Sequence, residues 1–145
     1  MQIDTILATK GREVATIAPD RTITEAMQRM RTERVGCLVV TGGSGEIIGI
    51  VSDRGLLWNI VDHGVAVVDN PVRNVMSRSV ITCAPQEPVA HIMALMTERR
   101  IRHIPVVDDT GRLCGIVSIG DVVKHHLDAM EQEAEALKDY VAGKA

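Results

Sequence analysis

Short apolar runs alternate along this chain with stretches in which apolar residues return every three or four positions, and the whole cycle occurs twice. Residues 14–17, 37–40 and 47–51 read as strands, as do 80–83, 103–107 and 113–117. Between them, Ile23, Ala26, Met27 and Met30 fall at i, i+3, i+4 and i+7, and so do Val89, Ile92, Met93 and Met96. That spacing is the buried stripe of a helix. Thr22 with Glu25 supplies a capping box for the first helix, and Pro88 suits the first turn of the second. Gly42-Gly43-Ser44-Gly45 and Asp108-Asp109-Thr110-Gly111 are turn chemistry joining paired strands, and a further helix starts near Ser52 and again near Ser118.

The two cycles are one unit written twice. Residues 18–56 align without a gap on residues 84–122, an offset of 66. Eleven of the 39 positions are identical, including Arg34/Arg100 and Gly49-Ile50-Val51-Ser52 against Gly115-Ile116-Val117-Ser118. Unrelated chains of average composition would share roughly two or three. A β-α-β-β-α fragment of about 50 residues is marginal without a partner. The expected fold is therefore α/β (α+β), with tandem βαββα repeats packed sheet to sheet in pseudo-twofold symmetry. Repeat one, with its N-terminal segment, spans 1–68, a linker with a short helix at 72–76 spans 69–79, repeat two spans 80–127, and a helical extension spans 128–145.

Composition changes the picture in three ways. With 46% hydrophobic residues but no Phe, one Trp and one Tyr, the core has to be aliphatic, and stacking platforms for bases are missing. A net charge of -3 without a dense Lys/Arg block argues against a nucleic-acid surface and against polybasic membrane binding. No run approaches the ~20 apolar residues of a membrane span. The start Met1-Gln2-Ile3-Asp4 lacks a secretion signal, and Cys37, Cys83 and Cys114 form no CxxC pair, so the expected location is the cytoplasm. No nucleophile with a base, carboxylate pair or metal-ligand spacing stands out, since Ser118 has no GxSxG setting and His125-His126 point apart on a helix. The expectation is a protein that is not an enzyme, with no metal and no catalytic cofactor.

The sharpest chemistry is Gly115-Ile116-Val117-Ser118-Ile119-Gly120-Asp121, a strand running straight into a helix start. Free backbone N–H groups and the helix dipole favour an anion there, and a carboxylate three residues on can accept hydrogen bonds from a sugar diol. Ser118 and Asp121 equally have the spacing of a helix cap.

Together with the repeat, residues 102–123 (RHIPVVDDTGRLCGIVSIGDVV) resemble a cystathionine β-synthase (CBS) domain pair, the Bateman module, and the resemblance runs from about Ala8 to Leu127. It implies a regulatory sensor that binds an adenosine nucleotide, AMP, ADP, ATP or NAD, in the cleft between the repeats. Carried over residue by residue, it implies ribose on Asp121, Ser118 and Gly120 near the phosphate, Ile116 along the base, and Arg102 and His103 facing the charge. Lys10, Gly11, Arg12, Val14, Ala15, Val35, Gly36 and Cys37 would hold the adenine. The first copy departs from the pattern: Gly55 stands where Asp121 does, Gly36 and Cys37 replace Arg102 and His103, and Asp53 and Arg54 lie out of register. One adenosine site on the second copy is expected, with a vacant or differently used one on the first.

After Leu127 the apolar residues Met130, Ala134, Leu137 and Val141 continue a 3, 4, 3, 4 spacing, the seam of a short coiled coil. A homodimer is expected from it, acting on a regulated protein that the sequence does not identify. Two other readings stay open: a ligand-independent dimeric scaffold, and a thiol redox switch through Cys37 and Cys114.

Overall fold

Three of the four repeat helices start where a side chain accepts from their free N–H groups, and each antiparallel strand pair closes over a glycine turn. The computed structural model describes residues 1–143. Its order is α1 (Ile3–Lys10), β1 (Thr16–Ile17), α2 (Ile23–Glu33), β2 (Cys37–Thr41), β3 (Ile47–Ser52), α3 (Asp53–His63), two 3-10 turns (Val65–Asp69 and Val72–Asn74), α4 (Val89–Arg99), β4 (His103–Val107), β5 (Leu113–Ser118) and α5 (Ile119–Val141). The Thr22–Glu25 capping box forms as expected. Pro88 is the N-cap of α4 rather than part of its first turn. The expected short helix at 72–76 is instead the second of the two 3-10 turns.

The first sheet has the order β1-β2-β3, with β1 parallel and β3 antiparallel to β2, and the second is the antiparallel pair β4-β5. The strand expected at 80–83 shrinks to a single parallel bridge, Cys83 to Val106. Proline explains the loss. In the first copy the Val39 N–H donates to the Ala15 carbonyl at 3.2 Å. The residue 66 places on is Pro105, which has no N–H, so the Ile81 carbonyl lacks the bond that Ala15 receives.

Neither repeat completes its own core. Ile3, Ile6 and Leu7 of α1 precede the first repeat, yet they pack with Val89, Ile92, Ile104 and Val117 of the second. Val72 and Met76 precede the second repeat and pack with Ile23, Met30, Leu38 and Val51 of the first. Gly115 and Gly49 make room for this exchange. A Cβ on Gly115 would stand 2.7 Å from both Cδ atoms of Leu7, and one on Gly49 would collide with the Met76 sulfur. Helix α1 was not foreseen; its eight residues are short for an apolar stripe to show. Met27, placed on the buried stripe, is 39% exposed.

Leu7 and Gly115 interlock, which sets a testable coupling. Leu7→Ala should cost about 2–5 kcal/mol of unfolding free energy and Gly115→Ala about 1–3 kcal/mol. The double variant should lose less than the sum, because the vacated space accepts the new methyl. Urea unfolding measures all three, and additive losses would contradict the packing.

Candidate functional site

The two repeats meet where α3 and α5 begin. The Asp53 N–H donates to the Gly36 carbonyl at 3.0 Å, and the Ile119 N–H donates to the Arg102 carbonyl at 2.8 Å. These bonds are pseudo-symmetric mates, since 53 and 119, like 36 and 102, differ by the repeat offset. Ser52 caps α3 by accepting from the Gly55 N–H, and Ser118 caps α5 by accepting from the Asp121 N–H. Both helix starts line one cleft of about 630 Å³.

Its charged wall carries Arg54, Arg100 and Arg102 with His103, against the carboxylate of Asp53. Three arginines against one aspartate in the lining, beside two helix N-termini, give the cleft an excess of positive charge that favours an anion. Arg100 enters it from a left-handed backbone (φ 54) at the end of α4, where glycine would be relaxed. Gly36 leaves the space between Asp53 and His103 open: its Cβ would lie 3.5 Å from Asp53 Oδ2 and from His103 Nε2. Burial holds the His103 pKa below the usual histidine value despite the pull of Asp53, and Arg102 and Lys10 push the same way as burial.

The apolar wall is Ile50, Val80 and Ile81, edged by Ser77 and Ser79. Among the described residues, the backbone from Ser79 to Thr82 makes no hydrogen bond to the rest of the chain, so its donors and acceptors are free at this wall.

Of the expected site residues, the fold brings Gly36, Cys37, Arg102, His103, Ser118 and Gly120 to this cleft. Lys10, Gly11, Arg12, Val14, Ala15, Val35, Ile116 and Asp121 are not in its lining. The cleft draws its lining from both repeats, but Asp121, expected to hold the ribose, is not part of it. The reason is an ion pair. Lys10 Nζ donates to Asp121 Oδ2 at 2.6 Å and to the Ile116 carbonyl at 3.0 Å, filling the space beside that carboxylate. Asp121 Oδ2 also accepts from the Ser118 N–H, which completes a capping box. Burial alone would raise the Asp121 pKa, but Lys10 and Ser118 together hold it below the usual carboxylate value. Arg12 pairs with Asp4 at the surface at 2.8 Å.

Sequence reading missed Ile50, Ser52, Arg54, Ser77, Ser79, Val80, Ile81 and Arg100. The repeat held the signal for most of them: subtracting 66 from Ile116, Ser118 and Gly120, and adding it to Gly11, Val14 and Ala15, leads to the cleft wall. The three cysteines are free thiols. Cys37 lies on β2 and Cys114 on β5, in different sheets. Burial pushes the Cys37 thiol up to about 12, with Lys10 opposing and Asp53 adding, and burial likewise pushes Cys83 up to about 12. Thiols so raised are poor thiolate nucleophiles.

Comparison with known proteins places the chain. The CBS domain model matches residues 8–62 and 72–128. The CBS domain-containing protein CBSX3 of Arabidopsis thaliana, named as mitochondrial, is 37% identical over 86% of this chain and 62% of its own length. An uncharacterized protein of Methanopyrus kandleri is 34% identical over 78% of this chain and 58% of its own length, so the chain spans about three fifths of these curated relatives. Among solved structures, a CBS-domain containing protein from Agrobacterium tumefaciens superimposes with a TM-score of 0.84 at 36% identity, covering 87% of this chain and 99% of that one. A CBS domain protein from Pyrobaculum aerophilum, solved in complex with AMP, gives a TM-score of 0.75 at 26% identity over 83% of this chain and 89% of that one. Two tandem βαββα units, built on one repeated sequence and matched by the family model in both halves, make this chain a member of the CBS domain family.

Proposed function

We propose that the chain is a non-catalytic regulatory module that takes an adenosine phosphate into the cleft between its repeats and passes the occupancy to another protein. One observation carries the reading: Arg54, Arg100, Arg102 and His103 line, with two capped helix starts, the same cleft as the aliphatic residues Ile50, Val80 and Ile81. Phosphate belongs at the charged wall, where Arg forks and helix N–H groups donate. A planar base belongs between Ile50, Val80 and Ile81. There the free Ile81 carbonyl can accept from the exocyclic amine of adenine, whereas a 6-oxo purine would bring a second acceptor to it. The AMP-bound relative supports the ligand class. AMP, ADP, ATP and NAD share the adenosine half that such a wall reads. Asp121, paired with Lys10 and capping α5, remains the group to hold a ribose on the pseudo-equivalent side. Three free thiols suit a reducing compartment such as the cytoplasm.

The partner reading rests on α5. Its last turns project beyond the domain with Leu127, Met130, Leu137 and Val141 at 58, 54, 63 and 79% exposure, and Leu57, Trp58 and Val61 of α3 are similarly bare. A second copy is the occupant we propose. In parallel, in-register pairing the seam closes on itself, and Glu133 faces Lys138 of the partner subunit. A scaffold that binds no nucleotide would keep this interface and leave the cleft silent.

Isothermal titration with AMP and IMP tests the ligand: AMP should bind, IMP at least tenfold more weakly, and Arg102→Ala should weaken AMP by about 10- to 100-fold. Binding of neither nucleotide, or an unchanged Arg102→Ala, would overturn the reading. A bound phosphate favours the imidazolium of His103 and so raises its pKa. AMP affinity should therefore strengthen as pH falls from 8 and level off below the free protein's lowered value, under about 6.5. Measured as the difference from His103→Gln, which cancels the phosphate's own titration, a flat profile would remove His103 from the site. Sedimentation should find the wild type at twice the 15.7 kDa chain mass and Leu137→Glu at the chain mass; a monomeric wild type would end the dimer proposal.

A further inference from the structure

The repeat predicts two equivalent nucleoside positions, and at the second the Lys10 ammonium sits on the carboxylate expected to hold the sugar. Every wall of the first position has a mate at the second: Ile50, Ser52, Val80 and Ile81 correspond to Ile116, Ser118, Val14 and Ala15. The difference lies in what approaches the strand before the second helix. In the first repeat the backbone does it, with Ile50 N–H donating to the Ser77 carbonyl at 3.0 Å and Ser77 N–H to the Ile50 carbonyl at 2.9 Å. The mate of Ser77 is Gly11, and its N–H is already committed to the Leu7 carbonyl at 2.8 Å, closing the end of α1. The Ile116 carbonyl is thus left without its backbone partner, and the Lys10 side chain supplies the missing donor. In doing so, its ammonium comes to rest on Asp121.

We propose that Lys10 is an internal occupant of the second nucleoside position, a cationic latch that must leave Asp121 before that carboxylate can grip a ribose. The proposal rests on the nucleotide reading above and adds a regulation to it. The first adenosine phosphate enters the open cleft against no competitor. A second must displace two hydrogen bonds, one of them an ion pair in which the Lys10 side chain is 34% and the Asp121 side chain 24% exposed. The latch is also joined to the fold's main exchange of segments. Lys10 is the last residue of α1, whose Ile3, Ile6 and Leu7 fill the second repeat's core. Freeing the ammonium releases the end of that helix, so occupancy of the second position would register at the N-terminal segment. The pairing is held at the C-terminal end of α1, where a cation is favoured, which strengthens the resting, closed state.

Titration calorimetry with AMP on the full chain distinguishes the outcomes. The wild type should saturate at one AMP per chain. Lys10→Met, which keeps the chain length and removes the charge, should saturate at two, and adding Asp121→Ala to it should return the number to one. Lys10→Gln serves as a second replacement should the Met variant unfold, with circular dichroism as the check. Two AMP per wild-type chain, or one per chain in both folded Lys10 variants, overturns the latch. A wild type that binds none while Lys10→Met binds one would overturn the open-cleft reading and support the latch; silence in both would overturn both.

Discussion

Ile3, Ile6 and Leu7 come before the first repeat and are buried in the second; Val72 and Met76 come before the second and are buried in the first. An aliphatic unit of this size, without one phenylalanine, buries too little apolar surface alone. Crossing the segments gives each core a share of the other copy's chain, so the halves cannot separate without each losing buried side chains. Gly49 and Gly115, identical in the repeat, are the positions where a side chain would block that crossing. The relative placement of the repeats follows from it, and with it the meeting of two helix starts at one cleft.

Within this shared frame the two copies differ in a few residues that border the cleft and keep a few others in common. Pro105 removes one N–H from β4, which frees the carbonyl of Ile81 and turns an expected strand into a wall with unpaired polar groups. Gly36 in place of Arg102 keeps the ground between Asp53 and His103 clear. Pseudo-symmetry supplies two approximate copies of a site, and these departures give each copy a different resting state.

Much of this was legible in the residues. The period of the apolar positions gave α2 and α4, the capping box fixed the start of α2, β4 spans its expected residues, and the offset of 66 exposed the duplication. Of the residues singled out from the sequence, the Arg-His pair and the Ser-x-Gly helix start lie in the lining of one cleft. What sequence could not show was tertiary: that an eight-residue helix at the N-terminus would dock on the far repeat, and that its last residue would then reach Asp121. Lys10 was named only as an adenine contact implied by the resemblance, because the groups it bonds are 106 and 111 residues away in sequence.

The claim at the centre is that one cationic ground between two helix starts receives phosphate while the unpaired backbone after Ser79 receives the base. An amide-resolved NMR titration of the full chain with AMP tests it most directly. The account predicts saturable shifts at the amides of Arg54, Gly55, Val80, Ile81 and His103, on both walls of the cleft. Saturable binding that leaves those amides unmoved and shifts others would contradict it.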